Sequence, residues 1–195
     1  ILLKDLENSL IRFAEQGAIT INTYIQGHLA EGKSIAANSI ISDTELPLEQ
    51  RLDELKKQLN LDRYRRLSLA NTEGDSYTTD GVNLYVGDRP YFINSMMGKT
   101  YVSDPFRSRA DGSMVIVFSV PIINDNKVDG VFYATYDADV LSHMTDNIKL
   151  NEIGSTYIIN SKGDVIAHDD REMVYNRIND IKRAEIDHAY EDIAH

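Results

Sequence analysis

Residues 113–137 read SMVIVFSVPIINDNKVDGVFYATYD. A nearly continuous apolar run, Met114 to Val120, leads into Asn124–Asp125–Asn126, and a second run follows from Val128 to Tyr136. β-Branched and aromatic residues on both sides of a short polar joint predict antiparallel strands over 113–122 and 128–136. Thr100 to Ser103 predicts a further strand over 100–104. A loop containing Pro105 and the hairpin signal Asp111–Gly112 separate it from the other two. The three strands form a meander. Side chains alternate along a strand, so Phe132, Ala134 and Tyr136 share one face of the last strand, and Tyr133, Thr135 and Asp137 share the other. If Tyr133 and Thr135 face inward, their hydroxyls need partners, and a ligand or the protein itself can supply them.

Outward from the meander the pattern is mixed. Tyr64 to Leu69 reads as a strand, Asn71–Thr72–Glu73–Gly74 as a turn and Asp75 to Thr79 as a returning strand, with Asp80–Gly81 turning again. Pro90 sits in the first turn of a short helix that starts near Asp88 or Arg89 and closes at Gly98. Residues 1 to about 43 read as helix, with Leu3, Leu6, Leu10, Phe13, Gly17, Thr20 and Tyr24 spaced three and four apart. That seam suits packing on its own domain or pairing with a second copy. Pro47 opens a second helix whose apolar face is Leu48, Leu52, Leu55 and Leu59. After the meander, Asp137 or Asp139 caps a helix with Val140, Leu141, Met144 and Ile148 on one face. The fold class is therefore α+β, with a long N-terminal helix and an antiparallel sheet of about five strands.

The turn NTEGD at 71–75 is written again as NSKGD at 160–164, again after an apolar run, about 90 residues later. Glycine supplies a positive-φ position in each, and asparagine can bond its own backbone. The repeat predicts the start of a second, incomplete copy of the sheet from Ser155. The expected organisation is a helical region over 1–60, a first sheet domain over 61–150 and the opening of a second over 151–195.

Composition narrows the functional classes. The chain has 195 residues and a net charge of −11, which disfavours a nucleic-acid partner. It has no cysteine, so disulfides and thiolate metal sites are excluded. No apolar run approaches the roughly 20 residues of a membrane helix. The chain begins at Ile1 and reads as an excised piece of a longer protein. No P-loop, dinucleotide fingerprint or nucleophile elbow is present, so neither catalysis nor a cofactor is expected. His168–Asp169–Asp170 are adjacent residues that converge poorly on one ion, and no metal is expected there.

Asp88–Arg89–Pro90–Tyr91–Phe92 is the most informative polar stretch. Arg89 precedes a proline-started helix, which places a guanidinium near unpaired backbone N–H groups and suits a carboxylate. Tyr91 and Phe92 supply flat apolar walls. The plainer alternative is an exposed arginine beside two core aromatics.

Residues 91–141 resemble the distal half of a double Cache (dCache) sensor domain. The matching pieces are Arg89–Pro90–Tyr91–Phe92, Val102–Ser103–Asp104–Pro105, Ser119–Val120–Pro121–Ile122 and Gly130–Val131. GSTYIINSKGDVIAH, 154–168, resembles the opening of that family's membrane-proximal subdomain. The resemblance implies a long helix and two PAS-like sheets outside a bacterial cytoplasmic membrane. It implies a small extracellular ligand, and a chemoreceptor, histidine kinase or diguanylate cyclase as output. It also implies that Arg89, Tyr91 and Phe92 hold a ligand carboxylate. Ser103, Asp104, Tyr133, Thr135 and Asp137 complete the expected site. Where amino-acid binders carry an aspartate for the ligand amine, this chain has Thr135. Where they carry a tyrosine five residues before the arginine, it has Leu84, with Tyr85 alongside. An organic acid is thereby favoured over an α-amino acid, the alternative being that Asp137 takes the place of the missing aspartate. The alternatives are a dimerisation domain with a vestigial pocket and a cytosolic PAS-like regulatory module.

Overall fold

The computed structural model describes residues 2–146 and 156–186. Backbone contacts divide the chain into two units, residues 25–137 and residues 1–24 with 138–195. Helix α1 (Leu2–Ala36) runs through the boundary at residue 24. The expected helix to residue 43 is interrupted at Ala37–Asn38. The Asn38 side chain accepts hydrogen bonds from the amides of Ile40 and Ile41 and starts a separate short helix, α2 (Ser39–Ser42). Pro47 stands one residue before helix α3 (Leu48–Lys57), as its N-cap and not inside the first turn. Leu55 is the fully buried member of its apolar face, and Leu59 falls beyond its end.

The sheet of the 25–137 unit follows, with helix α4 inserted. Its strands are β1 (Arg66–Ala70), β2 (Asp75–Thr78), β3 (Asn83–Tyr85), β4 (Tyr101–Val102), β5 (Phe106–Arg107), β6 (Met114–Asn124) and β7 (Lys127–Asp137). Helix α4 (Pro90–Met96) lies between β3 and β4. The strand order is β3-β2-β1-β7-β6-β4, with β5 also pairing β6, and every pairing is antiparallel. Seven strands replace the expected five. β3 and β5 have three and two residues, too short to write a periodicity. The expected strand over 100–104 pairs only at Tyr101–Val102.

Strands β6 and β7 are buried on both faces, which accounts for their nearly unbroken apolar sequence. One face packs on the second half of α1. There His28, Gly32 and Ile35 meet Phe118, Val120, Phe132, Ala134 and Tyr136. The other face, carrying Val115, Val117, Ser119, Tyr133 and Thr135, is covered by α4 and the segment after β5. The joint between the two strands is Asp125–Asn126, both at positive φ, the conformation of a tight hairpin.

The other unit carries a 3₁₀ turn (Ala138–Val140) and α5 (Ser142–Thr145), then β8 (Ile158–Ile159), β9 (Val165–Ala167), α6 (Arg171–Tyr175) and α7 (Asp180–Ile186). The helix expected after the meander is thus broken into two short pieces. Asp139 pairs with His143 at 3.2 Å and does not cap, and Ile148 lies outside the described residues. His168 and Asp170 serve a helix start: the Asp170 side chain accepts from the Glu172 amide, and the Asp170 amide donates to His168 Nδ1.

The two repeated turns are one structure made twice. Asn71 Oδ1 accepts from the amides of Glu73 and Asp75 at 3.2 and 2.8 Å. Asn160 Oδ1 accepts from Lys162 and Asp164 at 2.9 and 3.0 Å. Gly74 and Gly163 have φ of 94° and 81°. Among the described residues no helix is long and apolar enough to cross a membrane.

Candidate functional site

Strand register decides which polar side chains meet. Arg66 lies opposite Thr135 and Ser68 opposite Tyr133 across β1 and β7, so all four point to the face away from α1. On β6, Val117 lies opposite Thr135 and Ser119 opposite Tyr133. Two buried serines then fasten α4 over this face. Ser95 Oγ donates to Ser119 Oγ at 2.9 Å, and Ser119 Oγ lies 3.0 Å from the Tyr91 carbonyl, which accepts from it. This anchor sets Arg89, the N-cap of α4, and Tyr91 in its first turn above the strands.

A cavity of about 20 Å³ lies between them, room for about one water molecule. Arg66, Val115, Val117, Tyr133 and Thr135 line it from the sheet, and Leu84, Val86, Arg89 and Tyr91 from the β3–α4 side. Phe106, Ser108 and Arg109 close the mouth. No carboxylate is among the lining residues.

The walls are aromatic. Tyr91 stacks on Phe106 with ring centres 6.0 Å apart and tilts against Tyr133 at 5.2 Å. Burial raises the ionisation of both tyrosine hydroxyls, which therefore stay neutral hydrogen-bonding groups. The Tyr133 hydroxyl meets Ser76 Oγ at 2.5 Å. Arg89 holds its guanidinium 5.1 Å over the Phe106 ring. At the mouth Arg109 grips Asp88 through two hydrogen bonds of 2.8 and 2.6 Å and donates to the Tyr85 carbonyl at 3.1 Å. The Arg109 hydrogen bonds draw the Asp88 carboxyl down to about 2.

Of the eight residues expected at the site, Arg89, Tyr91, Tyr133 and Thr135 come together around the cavity. Phe92 is buried in the adjoining core with Ala70, Val86, Val117 and Val131. The Ser103 hydroxyl accepts from the Val117 amide at 2.9 Å and serves the sheet. Asp104 is exposed and lies outside the cavity lining. Asp137 is exposed at the end of β7 and pairs with Arg65 at 2.6 Å. Leu84 is on the cavity wall, while Tyr85 is exposed. The expected cluster of free helix amides is reduced. Pro90 has no N–H, and the amides of Phe92 and Ile93 both donate to the Arg89 carbonyl at 3.0 Å.

Arg66, Phe106, Ser108 and Arg109 escape the sequence reading. Arg66 had a signal. Two successive arginines, Arg65 and Arg66, enter a strand, and alternation sends one of them inward. A wider groove of about 440 Å³ lies beside β1, but its cations are engaged. Arg51 donates to the Ile41 carbonyl at 2.9 Å, and Lys127 pairs with Asp129 at 3.3 Å.

Comparison with known proteins agrees with this architecture. The chain is 21% identical over 165 residues to the methyl-accepting chemotaxis protein PscA of Pseudomonas syringae pv. tomato, matching 82% of this chain and 26% of that protein. The chain therefore spans about a quarter of that relative's length. The ligand-binding domain of the Pseudomonas fluorescens chemoreceptor CtaA, solved with L-serine, superposes with a TM-score of 0.74 at 17% identity, over 93% of this chain and 78% of that one. The ligand-binding domain of the Pseudomonas aeruginosa amino-acid chemoreceptor PctC, solved with GABA, gives 0.70 at 16% identity, over 90% and 85%. At such identities the likeness to these structures is one of fold. The dCache_1 family model, described as a Cache domain, matches residues 2–193, and the chain belongs to that family.

Proposed function

We propose that this chain is the extracytoplasmic sensing domain of a bacterial transmembrane signalling receptor. Its ligand is a small carboxylate-bearing molecule held behind α4, and no catalysis is involved. The observation that carries this reading is the charge of the cavity. Arg89 reaches it with its guanidinium over an aromatic ring, no carboxylate lines it, and among the described residues Arg89 has no ion-pair partner. A guanidinium in a largely apolar cleft recognises a carboxylate through parallel hydrogen bonds. The relatives solved with L-serine and GABA hold ligands that also carry an amine. Here Thr135 occupies the strand position beside the cavity and Asp137 is turned to Arg65, which favours an acid without an ammonium group.

A cavity of about 20 Å³ does not accommodate such a molecule without movement of the Phe106–Arg109 segment or α4. That movement supplies the difference between two states that signalling requires. In this reading residues 61–150 form the ligand-binding subdomain, residues 151–195 open a second one, and the helical region 1–60 transmits the change. Leu6 and Leu10 are exposed on α1, which supports pairing with a second copy of the helix.

Calorimetric titration with a panel of propionate, butyrate and succinate tests the site. Arg89→Ala is expected to weaken binding of the acids by about a hundredfold. An unchanged affinity would falsify the assignment of Arg89. No thermal shift with any acid would favour the alternative of a dimerisation domain with a vestigial pocket.

A further inference from the structure

The floor of the same cavity holds a second cation. Arg66 enters from β1, is only 7% exposed, and lines the cavity on the opposite side from the α4 residues. Its outer edge is engaged. Nη2 donates to Asp111 Oδ2 at 2.9 Å, and Asp80 Oδ2 lies 3.3 Å from Nε without completing a hydrogen bond. Asp111 is shared with Arg65, which also holds Asp137. These carboxylates sit on the solvent side, with side chains 39%, 32% and 57% exposed for Asp80, Asp111 and Asp137. The inner edge is different. Arg66 Nη1 is buried and has no hydrogen-bond partner. A buried guanidinium N–H without an acceptor is costly, and proteins rarely leave one. The cavity-lining residues of β7 are neutral: Thr135 lies directly opposite Arg66 in the strand register, and burial keeps Tyr133 protonated.

We infer that Arg66 is a second anion-binding residue, and that the ligand is a small molecule with an acidic group at each end, of the dicarboxylate class. One acidic group meets Arg89 at the mouth, and the other meets Arg66 Nη1 at the floor with the Thr135 hydroxyl beside it. The apolar walls Leu84, Val86, Val115 and Val117 suit the short hydrocarbon linker between them. This inference rests on the proposed carboxylate site at Arg89 and deepens it. The paired aspartates keep Arg66 preorganised. They also make it selective, since a ligand ending in a methyl group leaves the inner N–H unmet.

The test compares succinate with butyrate, which has the same number of carbons and one acid fewer, by calorimetry on this chain. Succinate is expected to bind at least about tenfold more tightly. Arg66→Gln is expected to erase that preference, lowering succinate affinity by a larger factor than butyrate affinity. Arg66→Lys, which keeps the charge beside Asp80 and Asp111, serves if the first variant does not fold, and is expected to reduce the preference. Equal affinity for the two acids in the unmodified chain overturns the dicarboxylate inference and leaves the Arg89 site standing. So does an equal loss for both acids in the Arg66 variants. Failure of both acids to bind the unmodified chain overturns the Arg89 site and this inference together.

Discussion

Gly130 shows how a single residue constrains the sheet. It lies on β7 with φ of 157°, and a Cβ built there falls 2.7 Å from the Ala70 carbonyl oxygen of β1. The atom in the way is backbone, so no rotamer change relieves the contact. Gly130→Ala is expected to destabilise the chain by roughly 1–3 kcal/mol, read as a lowered urea midpoint at an unchanged slope. An unchanged midpoint means that β1 shifts freely, contrary to its buried pairing with β7. The sequence marks the glycine but not the neighbour that demands it, because Ala70 and Gly130 meet only through strand pairing. Gly74 and Gly163 are more legible, since their turns are closed by bonds within five residues. Among the site residues the same distinction holds. Arg89 and Tyr91 are marked by a local motif, whereas the place of Arg66 on the cavity wall follows from its pairing across the sheet.

At the scale of elements, α1 is locked to the sheet through a buried histidine. His28 is 6% exposed, with Nδ1 2.5 Å from the Tyr136 hydroxyl and 3.3 Å from Arg63. Burial, then the Arg63 charge, lower its ionisation from 6.5 to about 4, against a smaller opposing effect of Glu31. Between those values the unfolded chain binds a proton that the folded chain refuses. Stability therefore falls as pH drops from 6.5 towards 4, with a slope of at most about 1.4 kcal/mol per pH unit. Urea denaturation at pH 7, 6 and 5 should show this decline, and His28→Gln should flatten it. A flat profile in the unmodified chain rules out the buried neutral histidine. Asp88 acts in a different window. Held down by Arg109, it loses its contribution only as pH falls from 3.8 towards 2. Most elements were legible because β6, β7 and α1 are long enough to carry a period. β3 and β5 were not, and the start of α2 was hidden because Asn38 opens a new helix inside an apparently continuous one.

For the molecule as a whole, the proposed receptor role makes self-association through α1 the natural test. Leu6 and Leu10 occupy successive seam positions and are 55% and 44% exposed. Sedimentation velocity over a concentration series is expected to show a monomer–dimer equilibrium that Leu10→Asp shifts to monomer. A concentration-independent monomer removes the helix seam as a dimer interface. Membership of the Cache family and the α+β class were within reach of the chain's order of helix, turn and meander, since each rests on patterns local in sequence. The twin asparagine–glycine corners were likewise determined by the sequence, and the structure reproduces both with the same bonds. Only the tertiary structure decided the composition of the cavity. Of the eight expected residues it gathers Arg89, Tyr91, Tyr133 and Thr135, and it adds Arg66 and Arg109. The reason is physical: turns and helix starts are closed by bonds between near neighbours, whereas a cavity is enclosed by strands paired across the sheet. Its register, such as Arg66 opposite Thr135, is written in no single stretch of the chain.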